Sequence, residues 1–329
     1  VEHAGFEYRT LPAAPLVASP MGLLRALYSN GVGYRAARRL VLKEQPTVVV
    51  GLGGYSSVPM ALAAARQGVP LVLLEQNVIP GRANRWLARW ATTVCVSFED
   101  TADQFSIRPR IVTTGNPVRA DIIEASSARA ELAIQSRDAA PLLVVLGGSQ
   151  GAHSINRFVT ESLPKLSGFL ADWRIVHQTG AKDVEWVRTA YETYQVRAEV
   201  VPFIADMADV YRRATLAVAR AGATTLAELS VAGVPAILLP YPFATANHQW
   251  HNAQAFGRAG AAIVVDDRPE PGRTNAALVS AIAPLLRLPE LRREMRLAML
   301  KLARVDAVEA VVSEIVAAAG ARESARQSA

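Results

Sequence analysis

Ten short aliphatic runs punctuate the chain, at 47–50, 71–74, 93–96, 111–113, 142–146, 174–177, 198–201, 216–219, 236–239 and 262–265, and Ala-, Leu- and Arg-rich stretches separate them. The runs are apolar or nearly so and lack the in–out alternation of a strand with one wet face. Such runs suit strands covered by helices on both sides, and their alternation with helical stretches predicts βαβ units and parallel sheets. Residues 1–11 read as the end of one unit, a helix tail and a short strand, without the strand and loop that begin a doubly wound sheet. Around 126–141 charged and small residues separate one series from the next, which places a domain junction nearby. A last helical element is expected over 289–319, with a polar, frayed tail after Gly320.

An uncharged stretch at 47–65 is almost long enough to cross a bilayer. Gly51, Gly53, Gly54, Ser56, Ser57 and Pro59 interrupt it, so it reads as a buried strand, a glycine loop and a helix. The first residues show no basic region followed by an apolar core, so secretion is unsupported.

At 329 residues, 51% hydrophobic and 19% charged, the chain can bury a large core, and its length suggests two domains. A lone cysteine, Cys95, excludes internal disulfides, fits a reducing compartment and sits in an apolar run where it is expected to be packed. No electropositive setting supports a catalytic thiol there. The net charge of 35 minus 29, or +6, suits nucleic acid, an anionic membrane or a phosphate-bearing substrate. Arg25, Arg35, Arg38, Arg39 and Lys43 interleave with Leu23, Leu24, Leu27, Tyr28 and Leu40, either to touch anionic lipid or as an ordinary solvated helix face. Aromatics at 6%, without basic–aromatic interleaving, argue against nucleic acid.

Three glycine loops follow aliphatic runs and lead into helices: Gly51 to Ser57, Gly147 to Ala152 and Arg220 to Thr225. Each stands where open α/β sheets bind ligands, and glycine there lets backbone amides and a helix N-terminus approach phosphate closely. None matches the dinucleotide fingerprint or a P-loop, which argues against a dehydrogenase or an ATPase. Tight βα turns alone would explain any one loop as well. Glu228, eight residues after Arg220, is placed to accept two hydrogen bonds from a ribose diol or simply to complement a helix dipole. Gln249 and Asn252 share a helix face and can bond sugar hydroxyls. His248 and His251 share the same spacing without a nearby carboxylate, which argues against zinc. No D-x-D motif occurs to hold a diphosphate through a metal.

Gly53-Gly54-Tyr55, Glu75-Gln76-Asn77 with Gly81, Asn84-Arg85-Trp86-Leu87 and Thr114 to Arg119 resemble the MurG family of transferases. The same order continues through Gly147 to Ala152, His177 to Gly180, Pro202 to Met207, Arg220 to Glu228, and His248-Gln249 with Asn252-Ala253, covering most of the chain. That family adds N-acetylglucosamine to the lipid-linked muramyl-pentapeptide of peptidoglycan synthesis. The resemblance implies a GT-B glycosyltransferase fold of two Rossmann-like doubly wound domains facing across a cleft, inversion at the anomeric carbon, no catalytic metal or other cofactor, and a peripheral place on the cytoplasmic membrane face. It divides the chain into an acceptor and membrane-side domain at 1–117 and a donor-binding domain at 118–305, with a helix at about 306–320 packing back on the first.

Carried over residue by residue, the resemblance implies that Arg119, Ser149, Ile204, Ala223, Thr224, Thr225, Leu226, Ala227, Glu228 and Gln249 bind UDP-N-acetylglucosamine. Ile204 would offer backbone groups to uracil, Glu228 would hold the ribose, and the Ser149 loop and Thr225 would meet the diphosphate. Asn77 would reach the donor sugar, and Gly53, Gly54 and Tyr55 would cradle the acceptor diphosphate. The family begins with a further glycine loop ending in histidine that residues 1–11 do not match, which leaves the N-terminal domain incomplete; the expectation is a true start upstream of Val1, the alternative a donor-binding remnant. Among the residues present, Glu75 is the candidate general base, its other reading being an interdomain ion-pair partner. Rival readings are another UDP-sugar enzyme of the same fold, or a non-catalytic nucleotide-sugar binder.

Overall fold

A computed structural model describes residues 5–15, 19–106, 109–135, 140–148, 151–267 and 271–327. It divides into two compact units, Val1–Gly115 with Val308–Ala329, and Asn116–Ala307. In the first, Ser19 caps α1 (Pro20–Glu44) by accepting the Gly22 N–H at 3.1 Å, with Pro20 at the first helical position. Then come β1 (Val49–Gly51), α2 (Val58–Arg66), β2 (Leu71–Glu75), α3 (Arg82–Leu87), β3 (Thr93–Val96) and β4 (Arg110–Thr113), the four strands parallel and in sequence order. The stretch at 47–65 is therefore strand, loop and helix. Among the described residues, no helix is long and apolar enough to cross a membrane.

The short strand expected before Leu11 does not form within residues 5–15. That segment lies along α1 instead, with the Asn30 side chain meeting the Ala14 N–H at 3.4 Å and its carbonyl at 2.9 Å. Backbone groups satisfied by a side chain need no strand partner.

The second unit carries α4 (Ala120–Gln135), β5 (Leu142–Leu146), α5 (His153–Leu170), β6 (Arg174–Gln178), α6 (Val184–Thr193), β7 (Ala198–Val201), α7 (Met207–Arg213), β8 (Ala214–Ala219), α8 (Ala223–Ala232), β9 (Ala236–Leu238), α9 (His248–Arg258), β10 (Ala262–Val264), α10 (Pro271–Arg287) and α11 (Pro289–Lys301). Its six parallel strands are ordered β10-β9-β8-β5-β6-β7. All ten aliphatic runs are thus strands, within a few residues of their expected bounds. The core of this unit brings Leu143, Val145, Leu216, Val218 and Ile237 of the sheet against Ile155, Phe158, Leu163, Leu278 and Leu285 of α5 and α10.

The last helical stretch is not one element. Residues 302–306 break it where the chain returns to the first unit as α12 (Ala307–Gln327). Val311, Ile315 and Ala318 of α12 pack on Val72, Leu74 and Cys95, the face of the first sheet opposite Leu71, Leu73, Val94 and Val96. Covered faces on both sides explain why these strands are apolar throughout. Burial, with the Glu314 carboxylate nearby, pushes the Cys95 thiol up to about 11, as suits a packed rather than a reactive cysteine. The frayed tail expected after Gly320 is helical to Gln327; Ala, Arg, Glu and Gln favour helix there, and Arg322 bonds the Pro46 carbonyl.

Candidate functional site

In the second unit the chain runs β5, β6, β7 to one side and then returns to place β8 on the other side of β5. The crevice outside the carboxyl ends of β5 and β8 is the topological switch point, where open parallel sheets bind ligands. Two of the three glycine loops open there. Gly151 has φ of +77°, and a Cβ on it would lie 2.1 Å from the Thr179 carbonyl oxygen; one on Gly147 would lie 2.6 Å from the Ala152 nitrogen. Gly148 also has φ of +77° but faces open space, while its carbonyl takes a 2.6 Å hydrogen bond from Gln178. Ser149 lies outside the described residues.

α8 starts without a side-chain cap, so the amides of Ala223, Thr224 and Thr225 face outward beside Gly222. Thr224 is exposed and within 3.5 Å of Asn116 Nδ2. Glu228, one turn in, is half-buried and accepts the Tyr211 hydroxyl at 3.0 Å. Burial raises its carboxyl above the usual range, and the Tyr211 bond and the Arg119 charge bring it only part of the way back. Arg119, exposed and 3.7 Å from Asp121, is thus in electrostatic reach of Glu228. Leu226, by contrast, is fully buried, and its N–H is committed to the Gly222 carbonyl, which leaves it a core role. Ala227 lies on the same helix, half-buried.

Beneath this cradle, the nearly buried Arg220 guanidinium bonds Asp267 and the Leu239 carbonyl and reaches Ser154, whose hydroxyl also bonds Asp267 at 2.9 Å. The ends of β8, β9 and β10 and the start of α5 are tied together in this way. Gln249 Oε1 accepts the Tyr241 amide at 2.9 Å, leaving its amide NH2 for a ligand. Asn252, expected on sequence to share that sugar-facing role, is instead fully buried, and its Nδ2 meets the Ala221 carbonyl at 3.2 Å. It braces the loop after β8. Ile204 follows β7 with its side chain buried, so it has only backbone groups to offer. His248 Nδ1 meets the Thr245 carbonyl, and no group of three metal-ligating side chains converges among the described residues.

A polar chain at the ends of β5 and β6 escaped sequence reasoning. His177, fully buried, lies between the Tyr191 hydroxyl and Asn156 Oδ1, each at 3.0 Å, and desolvation drives its pKa down to about 3. Asn156 Nδ2 reaches Asp183 Oδ2 at 2.8 Å, and His153 Nδ1 lies 2.9 Å from the same oxygen. Burial pushes the Asp183 carboxyl up, but hydrogen bonds from Trp186, Asn156 and His153 outweigh it and hold it below its usual value. His153 and Asp183 are thirty residues apart, so no local spacing could have paired them.

In the first unit, the loop after β1 turns through Gly53 and Gly54, at φ of +89° and +77°, into a single 3-10 turn at Tyr55–Ser57 that has no side-chain cap. Tyr55 is exposed. The loop after β2 is organised by Glu75, which is 3% exposed. One of its oxygens accepts the Asn77 amide at 3.0 Å and Asn77 Nδ2 at 3.2 Å; the other accepts the Gly81 amide and Asn84 Nδ2, both at 2.9 Å. Four donors on two oxygens leave no open lone pair for a substrate proton, and no ion pair involves Glu75 among the described residues. Asn84 Oδ1 is buried without a partner, its side chain directly under Gly53.

Two family models match the chain, the glycosyltransferase family 28 C-terminal domain over residues 142–310 and the family 28 N-terminal domain over residues 1–96. The UDP-N-acetylglucosamine–N-acetylmuramyl-(pentapeptide) pyrophosphoryl-undecaprenol N-acetylglucosamine transferase of Geobacter sulfurreducens is 42% identical over 301 residues, covering 92% of this chain and 80% of that protein. Its namesake in Nitratidesulfovibrio vulgaris is 41% identical over 332 residues, covering 97% and 86%. Among solved structures, Acinetobacter baumannii MurG superposes with a TM-score of 0.71 at 30% identity, over 88% of this chain and 79% of that one. A UDP-N-acetylglucosamine 2-epimerase of Neisseria meningitidis shares the fold at a TM-score of 0.61 and 15% identity, over 87% and 80%.

Proposed function

The chain belongs to glycosyltransferase family 28, and on that premise we propose that it transfers N-acetylglucosamine from UDP-N-acetylglucosamine to undecaprenyl-pyrophosphoryl-N-acetylmuramyl-pentapeptide, as its relatives' name describes. The observation that carries the reading is the second-unit switch point, where two glycine loops open beside the uncapped start of the helix that carries Glu228. The diphosphate of the donor would lie on the amides after β5 and β8, and Glu228 would take the ribose hydroxyls. Arg119 would answer the diphosphate charge, Ile204 would meet the uracil through its backbone, and the Gln249 amide would bond the sugar.

Transfer with inversion requires the acceptor oxygen to attack the anomeric carbon from the face opposite UDP. The new glycosidic bond forms as the bond to the β-phosphate oxygen breaks, and the hydroxyl proton leaves to a base. Charge grows on the departing diphosphate, and preorganised amides with Arg119 stabilise it most at that moment. In the first unit, the amides around Gly53, Gly54 and Tyr55 suit the acceptor diphosphate, and Asn77 suits the donor sugar. Glu75 we assign to shaping the 76–81 loop that presents Asn77, with no share in the proton transfer.

Membrane attachment would run through α1. Met21 and Tyr28 are each 77% exposed and Leu24 and Leu27 are also exposed, while Arg25 and, further along, Arg35, Arg38, Arg39 and Lys43 carry positive charge. Exposed apolar and basic groups on one helix fit the headgroup region of anionic lipid, on the cytoplasmic face where UDP-sugars are made. Calorimetry with UDP-N-acetylglucosamine, against UDP-glucose and ADP, tests the donor assignment, with Glu228→Ala expected to lose binding. Formation of the lipid-linked disaccharide from the muramyl acceptor tests the reaction. Selective binding without product would favour a nucleotide-sugar binder, and a folded chain that binds no UDP-sugar would refute the reading.

A further inference from the structure

The chain from Tyr191 through His177, Asn156 and Asp183 to His153 has no role in the transfer as set out above, although it ends at the loop assigned to the diphosphate. His153 is the first residue of α5, directly after Gly151 and Ala152. It meets Asp183 through Nδ1, and the Trp186 ring stands 5.7 Å from its own in an edge-on contact. Asp183 is itself fixed by Asn156, which also donates to the Thr179 carbonyl at 3.0 Å, the oxygen against which Gly151 is packed. The imidazole is thus keyed to the same backbone that shapes the glycine loop.

Acceptance by Asp183 keeps a proton on Nδ1, so Nε2 is the free nitrogen, on a side chain that is 72% exposed. The first turn of α5 has no acidic residue and no side-chain cap. A basic group at the positive end of a helix is disfavoured unless an anion answers both. Asp183 balances one charge, and the amides of the helix start remain to be matched. A nucleoside diphosphate lying on the loop would match them.

We propose that His153, oriented by Asp183 and carrying a proton on both ring nitrogens when the diphosphate is bound, donates its Nε2–H to a non-bridging oxygen of the donor diphosphate and bonds it more strongly as UDP departs. Asp183 is the positioning residue of the pair. The proposal rests on the family 28 reading of the donor site and adds to it a cationic contact that depends on phosphate and not on the nucleoside.

The test measures UDP by calorimetry and uridine by competition against wild type, His153→Ala, His153→Gln, Asp183→Asn and Glu228→Ala. His153→Ala removes an exposed side chain and should melt like wild type. It is expected to weaken UDP about tenfold, the share of one charge-assisted hydrogen bond, and to leave uridine unchanged. His153→Gln should fall between the two, and Asp183→Asn should lower the UDP-to-uridine ratio in the same sense. An unchanged ratio in His153→Ala, with Glu228→Ala losing both ligands, would overturn the proposal and leave the donor site standing. A folded wild-type chain that binds neither ligand would overturn both together.

Discussion

Replacing Glu75 by glutamine separates a framework carboxylate from a general base. Glutamine keeps one oxygen and turns the other into an NH2, so either the Asn77 pair or the Gly81–Asn84 pair of donors loses its acceptor inside a site that is 3% exposed. An orphaned buried donor costs about 1–3 kcal/mol, and Asn84 Oδ1, the partnerless acceptor next to it, can recover part of that. The net loss is on the order of 3 kcal/mol, which lowers Tm by about 10 °C in a unit of this size. Scanning calorimetry should therefore find the first-unit transition displaced, with the second-unit transition and UDP affinity unchanged and turnover reduced as the 76–81 loop loosens. A base would behave differently: Glu75→Gln would melt like wild type, bind UDP like wild type and lose turnover by about a hundredfold or more. That result would refute the framework assignment and restore Glu75 to the proton transfer.

Glu228→Gln should lose donor affinity yet unfold at least as high as wild type at neutral pH, because a carboxyl raised by burial is disfavoured in its charged form; its stability is greatest below the unfolded pKa and declines as pH rises through the folded one. A less stable variant would contradict the assigned desolvation. His177, held to about 3 against an ordinary 6.5, contributes stability that is complete above 6.5 and falls on acidification, at about 1.4 kcal/mol per pH unit. Urea titrations from pH 7 to about 4 should show that slope, and His177→Gln should flatten it. Gly148→Ala should cost only the left-handed strain of about 1–2 kcal/mol, whereas Gly151→Ala adds a clash with a backbone oxygen at 2.1 Å and should melt much lower. Equal melting of the two would mean that the 179–180 turn yields freely.

The strands were legible because burial on both faces leaves unbroken aliphatic runs such as Leu142–Leu146. The glycine loops were legible because Gly147 and Gly151 leave no room for a side chain. Side-chain direction was not legible. Asn252 shares the helical spacing of Gln249, yet that spacing cannot tell a residue aimed at a ligand from one that braces Ala221 from below. Glu75 stands at a strand end, as a general base could, and nothing in its spacing announces the four donors around it. His153 and Asp183, or Arg220 and Asp267, meet through the order of strands in the sheet, which a window along the sequence does not hold.

Placing α12 in the first unit sets an order for synthesis. Asn116–Ala307 is a continuous stretch whose sheet and core can close as soon as its own residues have emerged. The other unit emerges first but stays open on one face, with Val72, Leu74 and Cys95 uncovered, until α12 has left the ribosome. A stop codon near position 307 would therefore do its damage far from where it falls, stripping the cover from β2 and β3, strands made some two hundred residues earlier.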